Sequence, residues 1–246
     1  MNQYYFAASS LPPLTLETLP ELPVTEFDCL MHENLTSADF EKIRVIRLLY
    51  DIQNIGSLWK GNKLDSHGNF NEYELQEALA SGEGLPEYVY DFLDRYETIV
   101  LRLKNLPALL SDYFVCEARK VSGFLKEYLL FEREWRLILT YLRAKKLHRN
   151  VMLELRFEDR NDEMMVEIFG QEDAKTFTAP EQYRGLNLLF EQHMNDPLKM
   201  HQSLSQYRFD MIDRMVGMKL FSIDQILSYF AQLLIVEKSV VYERKV

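Results

Sequence analysis

Glycine and proline are scarce in this sequence, with 9 and 8 among 246 residues. An all-β fold with many tight turns needs more of both, so that fold class is disfavoured. Leucine, glutamate, methionine, lysine and arginine, which favour helices, are instead plentiful. We therefore predict an all-α fold, an elongated multi-helix bundle of packed lobes with one long central helix and an extended N-terminal arm.

Cysteine is also rare, and long hydrophobic runs are missing. Cys29 and Cys116 lie far apart and fit no metal-ligand spacing, which indicates free thiols in a reducing compartment. No segment reaches the ~20 apolar residues that a membrane span needs. The most apolar stretch, ILSYFAQLLIVEKSVVY, contains Gln232 and Glu237. The N-terminus lacks the basic and apolar regions of a signal peptide, so we expect a soluble, cytoplasmic protein.

Signature motifs of common enzymes are absent as well. The chain has no GxxxxGK phosphate loop, no GxGxxG, no GxSxG and no HExxH, and its five histidines form no cluster with cysteine. Carboxylate pairs such as Glu132 and Glu134 are expected by chance among 38 acidic residues. We predict no catalytic residue, no cofactor and no metal site, and a chain that is not an enzyme.

One stretch, LDSHGNFNEYEL at residues 64–75, looks like a calcium loop. An EF-hand requires glycine at position 6 and a bidentate glutamate at position 12. Counted from Asp65, Gly68 falls at position 4 and Gln76 at position 12, so both requirements fail. The pattern instead favours a polar turn followed by a helix, with Asn71 as its N-cap and Glu74 as the capping-box partner.

The formal net charge is −10, which repels nucleic-acid backbones, and we expect no nucleic-acid partner. The main basic run is RAKKLHR at residues 143–149. Its candidate partner-binding residues are Arg143, Lys145, Lys146 and Arg149. The alternative is that these side chains only complement the dipole at the end of a long helix or belong to ordinary surface.

The first 30 residues are rich in leucine and proline. Four prolines interrupt regular helix there: Pro12, Pro13, Pro20 and Pro23. Because the leucines need burial, we predict an extended arm over residues 1–30, with a short strand near residues 4–6, wrapped over a helical body at 31–246. A division of that body into two lobes near residue 150 stays open.

The longest helical pattern covers residues 107–147, where apolar side chains recur at three- and four-residue steps. A helix of that length would span about 60 Å and must pack against several others. Residues 151–157 alternate like a strand, but no partner strand is evident, so we predict that helix continues there after a bend. The acidic run EDRND at 158–162 is typical of a solvated turn.

Charged residues interrupt two of the apolar helical stretches. Glu132 and Arg136 are four residues apart in the long helix, a spacing at which a carboxylate and a guanidinium meet. Glu237 and Lys238 follow the apolar run of the last helix. We predict structural ion pairs among these four residues, bridging the two helices and setting their register more than adding stability.

Several blocks together resemble a known family. They are YYFAASSLPPL, FNEYELQEAL with GLPEYVYDFLDRY, EYLLFEREWRLILTYLRAKKL, and FDMIDRMVGMKLFSIDQILSYFAQLLIVEK. They look like an uncharacterised family of bacterial proteins encoded with V-type ATP synthases. That family is in turn similar to a shortened form of the C-type central-stalk adaptor of these synthases, which in eukaryotes is called the d-type adaptor. The resemblance covers nearly the whole chain and rests on the order and spacing of elements.

The central-stalk adaptor is an all-helical, non-catalytic protein that sits on the membrane rotor ring and receives the central shaft of the ATPase head. The resemblance therefore implies a non-catalytic subunit or assembly partner of a V-type ATP synthase. It would be held at the inner face of the membrane by protein contacts with the shaft and the ring. The adaptor is longer than this chain, so its contact residues do not transfer one by one. The alternative is a free-standing α-helical binding or regulatory protein unrelated to the ATPase.

Overall fold

The computed structural model describes residues 3–171, 177–217 and 220–243. All regular structure in these residues is helical and none is strand, which confirms the all-α prediction. The helices are α1 Tyr5–Ser9, α2 Val24–Asn34, α3 Ser37–Trp59, α4 Glu72–Ser81, α5 Glu87–Arg95, α6 Ile99–Lys120, α7 Phe124–Lys146, α8 Val151–Glu154, α9 Glu163–Phe169, α10 Arg184–His193, α11 Pro197–Val216 and α12 Ile223–Glu243, with a 3₁₀ turn at Glu181–Tyr183.

The N-terminal segment is only partly extended. The strand predicted near residues 4–6 is wrong, because α1 occupies that position and buries Ala7 and Ala8. Residues 10–23 hold the four prolines and form no regular helix, and α2 begins directly after Pro23. The extended conformation therefore ends well before residue 30.

The uninterrupted helix predicted over residues 107–147 is also wrong, because the chain breaks at residues 121–123. Gly123 has φ +65 and ψ −147, a conformation that L side chains rarely adopt. The first part, α6, starts earlier than predicted, at Ile99, and contains Pro107 in its interior. The second part, α7, packs against α6, so the apolar spacing continues across a turn that joins two packed helices.

Helix α7 is the long central element of the body. It packs against α6, α8, α9, α10, α11 and α12 and buries aromatic side chains, among them Phe124, Tyr128 and Phe131. The core around it runs from Ala7 in α1 to Ile235 in α12. The predicted division of the body near residue 150 stays a prediction.

Two local predictions are confirmed. Asn71 and Glu74 form the predicted capping box, in which the Glu74 amide donates to Asn71 Oδ1 at 3.0 Å and the Asn71 amide to Glu74 Oε2 at 2.9 Å. Residues after 150 return to helix as the short α8, following a bend in which His148 has φ +52. Both cysteines are free thiols. Of the helices in the described ranges, each is too short or too polar to cross a bilayer.

Candidate docking surface

The predicted basic run lies at the C-terminal end of α7, where the helix leaves the core. Arg143, Lys146 and Arg149 are exposed, and Lys145 is half-buried with its ammonium 5.9 Å from the centre of the Tyr141 ring. The backbone ends the helix locally, since the Arg149 amide donates to the Ala144 carbonyl at 2.8 Å. Cations in this last turn also complement the negative end of the helix dipole.

The basic side chains differ in how firmly they are held. Lys146 donates to Asn195 Oδ1 at 2.6 Å and to the Met194 carbonyl at 3.3 Å. Arg149 lies 3.5 Å from Glu154 Oε1, with both side chains well exposed. Arg143 forms no ion pair or hydrogen bond with any side chain in the described ranges. The surface therefore offers at least one cation without a protein carboxylate.

Apolar side chains surround these cations. Leu147 is 56% exposed, Leu153 61% and Met194 43%. Leu147 and Met194 line one hollow together with Arg143 and Lys146. Exposed apolar groups beside unneutralised charge are typical of interaction surfaces, because the apolar groups gain by leaving water and the charges select the partner.

Three hollows adjoin one another along this half of α7, and we call them together the basic groove. The first, about 560 Å³, lies between α6, α7, α8 and α11. The second, about 450 Å³, lies between the ends of α7, α10 and α11, and the third, about 760 Å³, lies beside it. Arg143 and Leu204 line both the first and the second, and Lys146, Phe190 and Met194 line both the second and the third.

A buried ion pair holds the middle of α7. The Glu132 carboxylate is completely buried and accepts hydrogen bonds from Arg136 and, at 3.0 and 2.8 Å, from Nε and Nη2 of Arg208 in α11. Burial raises the pKa of Glu132, but Arg136 and Arg208 outweigh it, so the pKa lies below its usual value. The two guanidinium carbons lie 4.5 and 5.1 Å from the ring centre of Trp135.

The acidic run at residues 158–162 is not simply a solvated turn, as its composition suggested. Glu158 accepts from Nε and Nη2 of the buried Arg133 at 2.9 and 2.6 Å. Asp162 accepts from Arg133 Nη1 at 3.0 Å and caps α9. Arg133 projects from a helix that is covered on several sides, so its charge is neutralised by the loop that packs over it.

Glu237 and Lys238 of α12 do not bridge to Glu132, contrary to the prediction that these residues link the two helices. Glu237 accepts from the Val24 amide at 2.8 Å and lies 2.9 Å from Nε2 of His67. Lys238 lies 2.7 Å from Asp65. The two side chains hold the polar loop after α3 against α12.

That loop, residues 61–71, is turned inward. His67 is 9% exposed and is held between Asp65, 2.5 Å from its Nδ1, and Glu237. Desolvation opposes the charged ring, but the two carboxylates raise the pKa of His67 above its usual value. Next to it, Gly68 approaches the buried Asp51 so closely that a Cβ would collide with its carboxylate.

Sequence reasoning missed Asp51, Arg208 and the roles of Arg133 and His67. Asp51 is completely buried and accepts from the backbone amide and Nδ2 of Asn69, both at 2.7 Å. It interrupts an apolar stripe of α3, and this signal was visible in the sequence. Arg208 gave no comparable local signal. Across the described residues, no group of three or more acidic, histidine or cysteine side chains is arranged to hold a metal ion.

Comparison with known proteins places this architecture among bacterial relatives. The chain is 29% identical over 234 residues to an uncharacterised protein of Chlamydia muridarum and 28% identical to one of Chlamydia trachomatis serovar D, in each case covering 93% of this chain and 88% of the relative. An uncharacterised protein of Chlamydia pneumoniae is 25% identical over 219 residues, covering 87% of this chain and 82% of the relative. No solved structure matches the chain significantly.

A family model described as "Protein of unknown function (DUF2764)" matches residues 1–246, the whole of this sequence. The match therefore includes the polar loop, the buried ion pairs and the basic groove alike. The chain belongs to the DUF2764 family.

Proposed function

We propose that this protein is a non-catalytic subunit or assembly partner of a V-type ATP synthase, acting by docking in the manner of the central-stalk adaptor. The resemblance to that adaptor suggests the assembly, and the basic groove supplies a surface through which docking could occur. In this proposal the protein lies at the inner face of the membrane and is held there by the central shaft and the rotor ring.

The observation that carries the proposal is the contrast between the basic groove and the rest of the chain. The net charge is −10, yet the end of α7 presents four cations beside exposed apolar side chains. A surface of this kind attracts an acidic protein partner and gives it apolar area to bury.

The internal ion pairs support a mechanical role. Arg208 ties α11 to α7 through Glu132, and Arg133 ties the 155–162 segment to α7 through Glu158. Breaking a buried pair costs about 3–5 kcal/mol, so sliding of these elements past one another is strongly opposed. A body that resists such sliding suits an adaptor between two rotating parts.

The test is affinity purification of the tagged chain from detergent-solubilised native membranes, followed by cross-linking and mass spectrometry. We expect subunits of the ATPase head, shaft or rotor ring to co-purify in defined ratio with the chain. Recovery of a reproducible set of unrelated proteins would instead support the free-standing binding protein, and absence of ATPase subunits would refute the proposal.

A further inference from the structure

We propose that the basic groove binds an acidic amphipathic helix of a partner protein, whose apolar side chains enter the three hollows while its carboxylates pair with Arg143, Lys146 and Arg149. This inference rests on the proposed function, because it names the chemistry of the partner at that surface. It does not specify which ATPase subunit supplies the helix.

The shape of the groove favours a helix. Its hollows follow α7 from Trp135 to Arg149, a distance of about 20 Å at 1.5 Å per residue. A partner helix of about four turns covers that distance and presents apolar side chains at three- and four-residue spacing. The separate hollows suit such anchors better than they suit one continuous small ligand.

The lining of the groove is apolar where a helix would insert side chains. The first hollow is lined by Leu106, Leu110 and Phe114 on one face of α6 and by Leu139 of α7. The second is lined by Phe190, Met194, Met200 and Leu204, among others. Because these surfaces are recessed, an apolar anchor would be desolvated more completely there than on a flat patch.

The charges of the groove favour an acidic partner. No carboxylate lines the second hollow, which carries Arg143, Lys146 and two histidines. Three glutamates line the other two hollows: Glu154, Glu158 and Glu191. Glu158 is neutralised by Arg133 at 2.6 Å, and Glu154 lies near Arg149. Carboxylates on the incoming helix would therefore meet cations that the chain itself leaves largely unneutralised.

A direct test uses designed helical peptides and the full-length chain. One fluorescent peptide carries leucine at three- and four-residue spacing with glutamate on the flanks. A second has lysine for each glutamate, and a third has the first composition in scrambled order. We expect the acidic amphipathic peptide to bind at least about tenfold more tightly than either of the others, with affinity falling as salt rises. Equal binding of the acidic and basic peptides would overturn the proposal.

Variants locate the binding surface. R143E combined with K146E should weaken binding of the acidic peptide by about tenfold or more. The matched control, R119E combined with K126E, makes the same change in net charge on exposed positions of α6 and α7 outside the groove and should leave affinity unchanged. Met194→Ser, which removes an apolar side chain without changing charge, should also weaken binding. If both double variants weaken it equally, the groove is not the site.

Other occupants give different results. Flotation with vesicles of phosphatidylglycerol and phosphatidylcholine tests an anionic membrane surface, and sedimentation velocity tests a second copy of the chain. Binding to vesicles, or self-association, that is lost in the R143E/K146E variant while the acidic peptide fails to bind would overturn the proposal in favour of that occupant.

Purification from native membranes separates the two proposals. If ATPase subunits co-purify with the wild-type chain and are lost with the R143E/K146E variant, both proposals are supported. If they co-purify equally with both, the chain is an ATPase partner and the groove inference is wrong. If they co-purify with neither, the proposed function is wrong, and the peptide measurements alone decide what the groove binds.

Discussion

The middle and the end of α7 both carry cations, but the two regions use them in opposite ways. In the middle, Arg133 and Arg136 are neutralised by Glu158 and Glu132. At the end, Arg143 has no carboxylate partner within the described ranges, and the Arg149 side chain is 62% exposed. A cation surrounded by packed helices must be paired, whereas one in water gains little from pairing. Buried charge therefore holds the architecture, and exposed charge is available for binding.

The sharpest way to break this comparison is the Glu132→Gln substitution. It leaves the guanidinium groups of Arg136 and Arg208 without a counter-charge in a closed environment, so we expect the free energy of unfolding to fall by about 3–5 kcal/mol. Urea denaturation at neutral pH measures the loss. Glu77→Gln, at an exposed position of α4, is the control and should change stability by less than about 0.5 kcal/mol. A loss below about 1 kcal/mol in Glu132→Gln would show that the buried pair is dispensable.

The second prediction extends the comparison to the buried carboxylate of Asp51. Gly68→Ala adds a Cβ that collides with this group and displaces its hydrogen bonds from Asn69, so we expect a loss of about 1–3 kcal/mol. The change in thermal unfolding midpoint reports it. Ser66→Ala, at an exposed position in the same loop, should be nearly neutral. Similar behaviour of the two variants would mean that the loop adapts and does not constrain Asp51.

The third prediction concerns His67, a charge that is buried but can be switched off. Its pKa in the folded protein is raised above the ordinary 6.5 by Asp65 and Glu237, so the stabilisation is fully present below pH 6.5 and is lost as the pH rises through the folded-state value. We expect the free energy of unfolding to decline above pH 6.5.

Urea titrations across neutral and mildly alkaline pH measure this decline. His67→Gln should flatten the profile in that range, whereas His32→Gln, at an exposed position of α2, should keep the wild-type shape. An unchanged slope in His67→Gln would assign the pH dependence to other groups. The lowered pKa values of Asp65 and Glu237 act separately, because their stabilisation is lost only as the pH falls into the acid range.

The smallest effect is expected at the exposed end of α7. Arg149→Ala removes a side chain that lies 3.5 Å from Glu154 in solvent, so stability should stay within about 0.5 kcal/mol of the wild type. Chemical denaturation checks this. A loss greater than about 1 kcal/mol would contradict the comparison, since it would make the basic end part of the fixed architecture.

Local features were predictable to the extent that their physical causes are local. The capping box depends on Asn71 and Glu74, three residues apart, and the Glu132–Arg136 pair spans one helical turn. The break before α7 was not predicted, because apolar residues keep the same spacing when a helix turns back to pack against itself. Gly123, with its positive φ, marks that turn and was the available signal.

Long-range pairings were beyond the reach of sequence patterns. Arg208 lies 76 positions from Glu132, and His67 lies 170 positions from Glu237. Both partners of each pair lie in ordinary helical or polar surroundings along the chain. Nothing in the local pattern says which charged groups the packing of α3, α7, α11 and α12 will bring together.

The sequence by itself determined the helical class, the caps and the accumulation of cations at residues 143–149, because propensity, side-chain hydrogen bonding and charge act over a few residues. Only the tertiary structure decided which charges are buried, which partner neutralises each of them, and that Arg143 and Lys146 border adjoining apolar hollows. Burial changes the free energy of a charge by several kcal/mol, and burial is a property of helices that are distant in the chain.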